Sequence, residues 1–182
     1  MPMKPAPAFQ KWFGNSKVVD AAGAPLLVYH GTPSKFTVFN MASSLDGAHF
    51  FVADKDHASA FGQPADYYVS ITNPMEISPD DLYAAWDVEH PDGNQDDRYL
   101  LPRHFVGAFV AKAKLAGHDG LIIRQMGDLD IEADMFLPFS AQQIKSADNN
   151  NGEFDAGNTD IRFSLADQDT QAEQLSSETP CP

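Results

Sequence analysis

Cysteine is all but missing from this chain. Cys181 is the only one, which excludes an internal disulfide and a cysteine-based zinc cluster and fits a reducing compartment. Bases are scarce as well: 12 Lys and Arg stand against 26 Asp and Glu, for a formal net charge of −14. A broad phosphate-binding footprint needs clustered Lys and Arg, so nucleic acid is disfavoured as a partner. No apolar run approaches the roughly 20 residues that span a bilayer. Met1-Pro2-Met3-Lys4-Pro5 lacks the apolar core of a secretory signal. The expectation is a cytoplasmic protein without a membrane partner. The chain also has no glycine-rich phosphate loop, no nucleophile elbow and no helical His pair of the zincin kind. No metal site is expected.

The acidity that is present sits in two places. Asp80, Asp81, Asp87, Glu89, Asp92, Asp96 and Asp97 crowd one stretch without a base, and Asp167, Asp169, Glu173 and Glu178 crowd the last residues. The rest of the chain is near neutral. Both runs read as solvated surface. Residues 1–8, rich in Pro and Ala, read as a flexible lead-in, and residues 166–182 as a disordered acidic tail.

Between them the elements alternate quickly. Phe9, Trp12 and Phe13 share one face of a short helix that Gly14 can end. Leu26 to Tyr29 reads as a strand with His30-Gly31-Thr32 at its tip, and Ala48 to Val52 as a second. Asp54 is placed to cap a helix over 55–61, closed by Gly62. Tyr67 to Thr72 is a third strand, ended by Asn73-Pro74. Ser78-Pro79-Asp80-Asp81 is a helix start, and Pro102 opens a longer helix that carries Phe105, Phe109 and Ala113 to Gly117. Further strands are expected at Leu121–Ile123, at Met135–Phe139 with Pro138 marking an edge or bulge, and around Gln143–Lys145. Strands outnumber strong helices and the connections are short. The fold class is therefore α+β, with strands in one or two small antiparallel or mixed sheets.

The residues left to carry chemistry are His30, the aromatics Phe50 and Phe61, and the carboxylates Glu132 and Asp134. Their order is informative: a His-Gly-Thr strand, then a strand and short helix with aromatics eleven residues apart, then an acid leading into a strand. This order resembles the ADP-ribosyltransferases of the diphtheria-toxin and poly(ADP-ribose) polymerase type. A closer likeness is to the ADP-ribosyltransferase domains of bacterial and phage polyvalent proteins. It rests on Phe9-Gln10-Lys11-Trp12-Phe13-Gly14-Asn15-Ser16-Lys17-Val18-Val19-Asp20 and on Pro25 through Thr32. Gly117-His118-Asp119-Gly120, Gln143 to Ala147, Asn150 to Asp155 and Asp160 to Ser164 extend it. The resemblance spans residues 9–165 and implies one domain there with the family's split β-sheet core and a few short helices.

It also implies an activity. An NAD-dependent transferase would break the nicotinamide–ribose bond and pass ADP-ribose to a macromolecular acceptor, protein ahead of nucleic acid. With water as acceptor the same pocket makes an NAD glycohydrolase toxin, and with the chemistry lost it makes a binding module. The transition state is oxocarbenium-like, so a carboxylate beside the ribose stabilises the developing positive charge. Asp134 takes that role by the resemblance, with Glu132 in reserve or orienting the nucleophile. His30 would hold a ribose hydroxyl, which makes it a positioning group. The backbone of Gly31 would pair with the carboxamide, Thr32 would belong to the same NAD-binding set, and Phe50 and Phe61 would stack on the nicotinamide ring. The family's two tyrosines stand here as phenylalanines, so stacking is kept and the hydroxyl contacts are not. Such domains serve as toxins or phage-borne modifiers. The oligomeric state and the acceptor atom are not legible.

Overall fold

The computed structural model describes residues 6–33, 35–44, 46–93, 103–128, 131–150, 152 and 154–162. The start of the lead-in, the acidic positions 96 and 97 and the tail from 166 lie outside them.

The first helix, α1 (Pro7–Phe13), starts with proline at its first turn, where a missing N–H costs nothing, and stops at Gly14 with φ 54°. It buries Phe9, Trp12 and Phe13 against Val19, Tyr68 and Phe154. Seven strands follow: β1 (Val28–Thr32), β2 (Phe51–Val52), β3 (Gln63–Val69), β4 (Pro74–Ile77), β5 (Gly120–Asp128), β6 (Ile131–Pro138) and β7 (Ile144–Ser146). Among the described residues they form one mixed sheet in the order β4-β5-β6-β2-β1-β3-β7. Among the described residues, only β4 and β5 run parallel. A parallel pair needs a long crossover, and α3 (Pro79–Glu89) and α4 (Arg103–Leu115) lie in it. The remaining helix is α2 (Lys55–Ser59). Among the described residues, no helix is long and apolar enough to cross a membrane.

The split in the sheet lies at β2. Among the described residues, the ladder between the three strands β4, β5 and β6 and the three strands β1, β3 and β7 runs through Phe51 and Val52, paired to Phe136 and Met135 on one side and, at Val52, to Tyr29 on the other. Side chains alternate across a strand, so these two residues enter opposite cores. Val52 joins Ile123, Met135 and Leu137 against Leu82, Trp86, Phe105, Val106 and Val110 of the helices. Phe51 joins Val28, Tyr67, Ile122, Phe136 and Ile144 against Phe39 and Ile161.

The expected second strand shortens to Phe51–Val52, the helix over 55–61 to Lys55–Ser59, and the third strand shifts to Gln63–Val69; four further details depart from the sequence-based expectation. First, β1 does not stop at Tyr29: it continues through Thr32 because Gln63, Pro64 and Ala65 of β3 pair with Thr32, Gly31 and His30. His30 is therefore held inside a ladder. Second, Pro74 opens a strand instead of ending one. Strand β4 is an edge, and the first position of an edge strand needs no ladder N–H. Third, β5 and β6 extend past Ile123 and begin before Met135 as a long hairpin, with a bulge between Ile123 and Met126. Gln125 sits in that bulge at φ 50°, a conformation costly for a non-glycine residue. The polar run Arg124-Gln125 hides the strand in the sequence. Fourth, Pro138 ends a central strand.

Several motif residues are scaffolding. Asp119 accepts from the Thr72 amide at 2.8 Å, the Thr72 hydroxyl at 2.7 Å and the Asn73 amide at 2.8 Å. Gln143 accepts from the Phe139 and Ser140 amides and donates to the carbonyls of Ser70 and Asp119. Lys145 is fully buried, and its Nζ donates to the carbonyls of Asn158 at 2.6 Å and Asp160 at 3.3 Å. Burial pulls its pKa down, against the pull of Asp155 and Asp160. The segment so held reaches forward: the Ile161 amide donates to the Thr37 carbonyl at 2.9 Å, and Val38 bridges to Asp160.

Candidate active site

One cavity of about 330 Å³ opens at the split, at the small end of the range for ligand pockets. Its floor is apolar: Val52, Ile123, Met126 and Met135. Tyr29, His30 and Gly31 supply β1's part of the wall. Ser43, Ser44, His49 and Phe50 come from the connection before β2, and His57, Ala58 and Phe61 come from α2 and the turn after it.

Each wall has a local cause. The short α2 forms because Asp54 caps it, its carboxylate accepting from the His57 amide at 2.8 Å. The helix lies so close to β1 that a Cβ on Gly31 would stand 1.9 Å from the Ala58 carbonyl oxygen. Only glycine fits there, and its bare backbone borders the cavity. Phe61 is 49% exposed at the rim, and its ring stacks on fully buried His57 at 5.9 Å and 27°.

His30 is held on several sides. Its Nδ1 lies 2.7 Å from the Phe50 carbonyl. A carbonyl only accepts, so Nδ1 carries the proton. Its ring packs among Phe39 and Phe51, each at 5.3 Å between centroids, His49 at 5.8 Å, Phe36 at 6.4 Å and Tyr67 at 6.5 Å. Burial lowers its pKa. The Phe50 bond opposes that, and His49 adds to it. The ring is therefore a neutral imidazole with its lone pair on Nε2. Tyr67 beside it is pushed up to about 12 by burial and stays a neutral phenol.

The two acids lie elsewhere. Among the described residues, Thr32, Glu132 and Asp134 do not line the cavity, although Met135 does. Glu132 is exposed. Asp134 is 26% exposed and lies on the face of β6 shared with Phe136. Its Oδ2 accepts from Arg124 Nη1 at 2.7 Å, and its Oδ1 accepts from the Gln125 amide at 2.9 Å. Arg124 reaches on to Glu76 at 3.1 Å. The carboxylate thus clamps the bulge that turns Met126 toward the cavity. His30, Gly31, Phe50 and Phe61, separated in sequence, meet at one cavity. Asp134 reaches it through its neighbours Met135 and, across the bulge, Met126.

The sequence reading did not single out His49, His57, Tyr29 or Met126. Only His49 left a signal, its place next to Phe50. The others depend on how α2 and the hairpin close. Among the described residues no cluster of three or more His, Cys, Asp and Glu is placed to hold a metal ion.

A family model described as ADP-ribosyltransferase in polyvalent proteins matches residues 20–154. No curated protein and no solved structure matches the chain.

Proposed function

Because this chain belongs to the family of ADP-ribosyltransferases in polyvalent proteins, we propose that it takes NAD as substrate and transfers ADP-ribose to a protein acceptor. The observation that carries this reading is the meeting of Gly31, Phe50, Phe61 and His30, from separate segments, around one cavity of about 330 Å³. That volume suits nicotinamide and its ribose, with the adenosine end left outside. Phe50 and Phe61 supply faces for the cationic ring, and the backbone of Gly31 supplies hydrogen-bonding groups to the carboxamide. His30 offers Nε2 to a ribose hydroxyl. Thr32 continues the same ladder at the carboxamide end.

In the proposed reaction the C–N bond to nicotinamide breaks and its electron pair leaves with nicotinamide. A nucleophilic atom of the acceptor then bonds to the anomeric carbon and gives up its proton. Asp134 is assigned the stabilisation of positive charge on the ribose. Its support is the family pattern and its place one residue before Met135. Glu132 is assigned the orientation of the nucleophile, with the family pattern as its support.

The test is incubation with NAD and measurement of nicotinamide release, with and without cell lysate. Release that needs lysate and labels macromolecules is the expected outcome. Release into water alone makes the protein an NAD glycohydrolase. A second reading, an NAD-binding module without efficient chemistry, draws on the pairing of Asp134 with Arg124 outside the cavity lining. Binding of NAD with no release under either condition would establish it.

A further inference from the structure

His49 stands beside the proposed pocket with no role in the reading above. It lies on the connection before β2, borders the cavity, and packs edge-on against Phe39 at 4.9 Å and His30 at 5.8 Å, its plane 88° from that of His30. Its Nε2 lies 3.1 Å from the Asn40 carbonyl, so Nε2 carries the proton and Nδ1 keeps a lone pair. The anchor is firm: the Asn40 carbonyl also takes the Ser43 hydroxyl at 2.9 Å, while the Asn40 side chain caps the Met41–Ser43 turn through the Ala42 amide at 3.1 Å. Burial lowers the pKa of His49, against the Asn40 bond. At neutral pH two residues that border one cavity therefore carry uncharged imidazoles, each with one N–H spent on a backbone carbonyl and one acceptor nitrogen left. Two neutral acceptors suit a pair of hydroxyl donors and add no repulsion to a cationic ring.

We propose that His49 is a second positioning residue, its Nδ1 accepting from one hydroxyl of the nicotinamide ribose while His30 takes the other. This rests on the NAD reading above. It makes a vicinal diol, with nicotinamide stacked beside it, the feature by which the site selects its substrate.

The test separates the two nitrogens. His49→Gln keeps a donor near Nε2 and the bond to Asn40 but loses the acceptor. His49→Asn keeps an acceptor near Nδ1 and loses that bond. Lost positioning of a group bound equally in ground and transition states raises KM, so His49→Gln raises KM for NAD roughly three- to tenfold with kcat little changed, and His49→Asn restores most of the loss. The 2′- and 3′-deoxyribose forms of NAD each cost the natural protein a similar factor, one through His49 and the other through His30, and the form that lacks the hydroxyl held by His49 costs His49→Gln nothing further. Nitrogen-15 shifts of the imidazole show Nδ1 unprotonated before NAD and moved on its addition. Rescue by Gln rather than Asn, additive losses with both deoxy forms, or a protonated Nδ1 would each overturn the assignment while leaving the NAD reading intact. Failure of the natural protein to bind or cleave NAD would instead remove that reading, and the role of His49 with it.

Discussion

On the β1 side of Phe51 and Val52, the polar group of interest is a neutral ring, bonded to a carbonyl and enclosed by other rings. On the β6 side it is a carboxylate, bonded to a guanidinium and an amide at the edge of solvent. Under the proposed function the two sides hold their groups by opposite means because they have different tasks. A hydrogen-bond acceptor for a ribose has to be fixed and uncharged, and burial supplies both. A group that meets developing positive charge has to stay ionised, and burial without partners would remove its charge. The narrow join at β2 lets each wall keep its own environment within one sheet.

The largest expected effect breaks the join itself. Phe51 is fully buried and pairs with β6 while its ring packs against His30. Phe51→Ala should cost about 3–5 kcal/mol of folding free energy, measured by urea denaturation. A cost below about 1 kcal/mol would mean that the halves do not depend on this join. The next tests the charged wall alone. Asp134→Asn keeps the shape and the Gln125 bond, and under the proposed function should slow nicotinamide release roughly 10²–10³-fold. Glu132→Gln should leave release from NAD nearly intact and slow transfer to the acceptor. Equal rates for Asp134→Asn and the natural protein would reassign the acid.

On the neutral wall, Gly31→Ala drives a methyl into the Ala58 carbonyl. It should cost about 1–3 kcal/mol of stability and weaken NAD binding as α2 moves off β1; calorimetry and NAD titration read the two together. Phe61→Ala is the milder counterpart. The ring is half exposed, so melting should barely shift, while affinity for NAD should fall by about 0.5–1.5 kcal/mol. A shift in melting without loss of affinity would make Phe61 packing and not pocket.

The smallest effect is in pH. His30 and His49 both titrate below the ordinary value of 6.5. The unfolded chain therefore binds more protons than the folded one from about that pH downward. Their contribution to stability is complete above 6.5 and is lost as pH falls toward the lowered folded values. A melting series from pH 7.5 to 5 should fall in that window, and His49→Gln should flatten it. A series in the natural protein that does not fall in that window would mean that neither ring is held neutral by the fold.

Much of this was legible in the chain. Local chemistry marked Asp54 and Ser78 as caps, and the structure uses both. Phe9, Trp12 and Phe13 declared their helix face. The order of His30, Phe50 and Phe61 led to residues that border one cavity. What stayed hidden depends on pairing between distant strands. Nothing near Thr32 says that Gln63 will hold it in a ladder, and nothing near Arg124 says that Asp134 will stabilise a bulge that lets the strand continue. The conspicuous motif residues Asp119, Gln143 and Lys145 tie turns and strands together, so their prominence in the sequence reflects architecture.

The grip of Lys145 on the last described segment has a consequence for synthesis. Ile161 and Asp160 fasten the stretch that carries Phe36 and Phe39, the rings packed against His30. His30 leaves the ribosome about 130 residues ahead of them, on the order of ten seconds at ordinary translation rates. The first wall to be made is thus the last to be finished, and a nascent chain stopped short of residue 160 carries its histidine with the stretch of Phe36 and Phe39 unfastened.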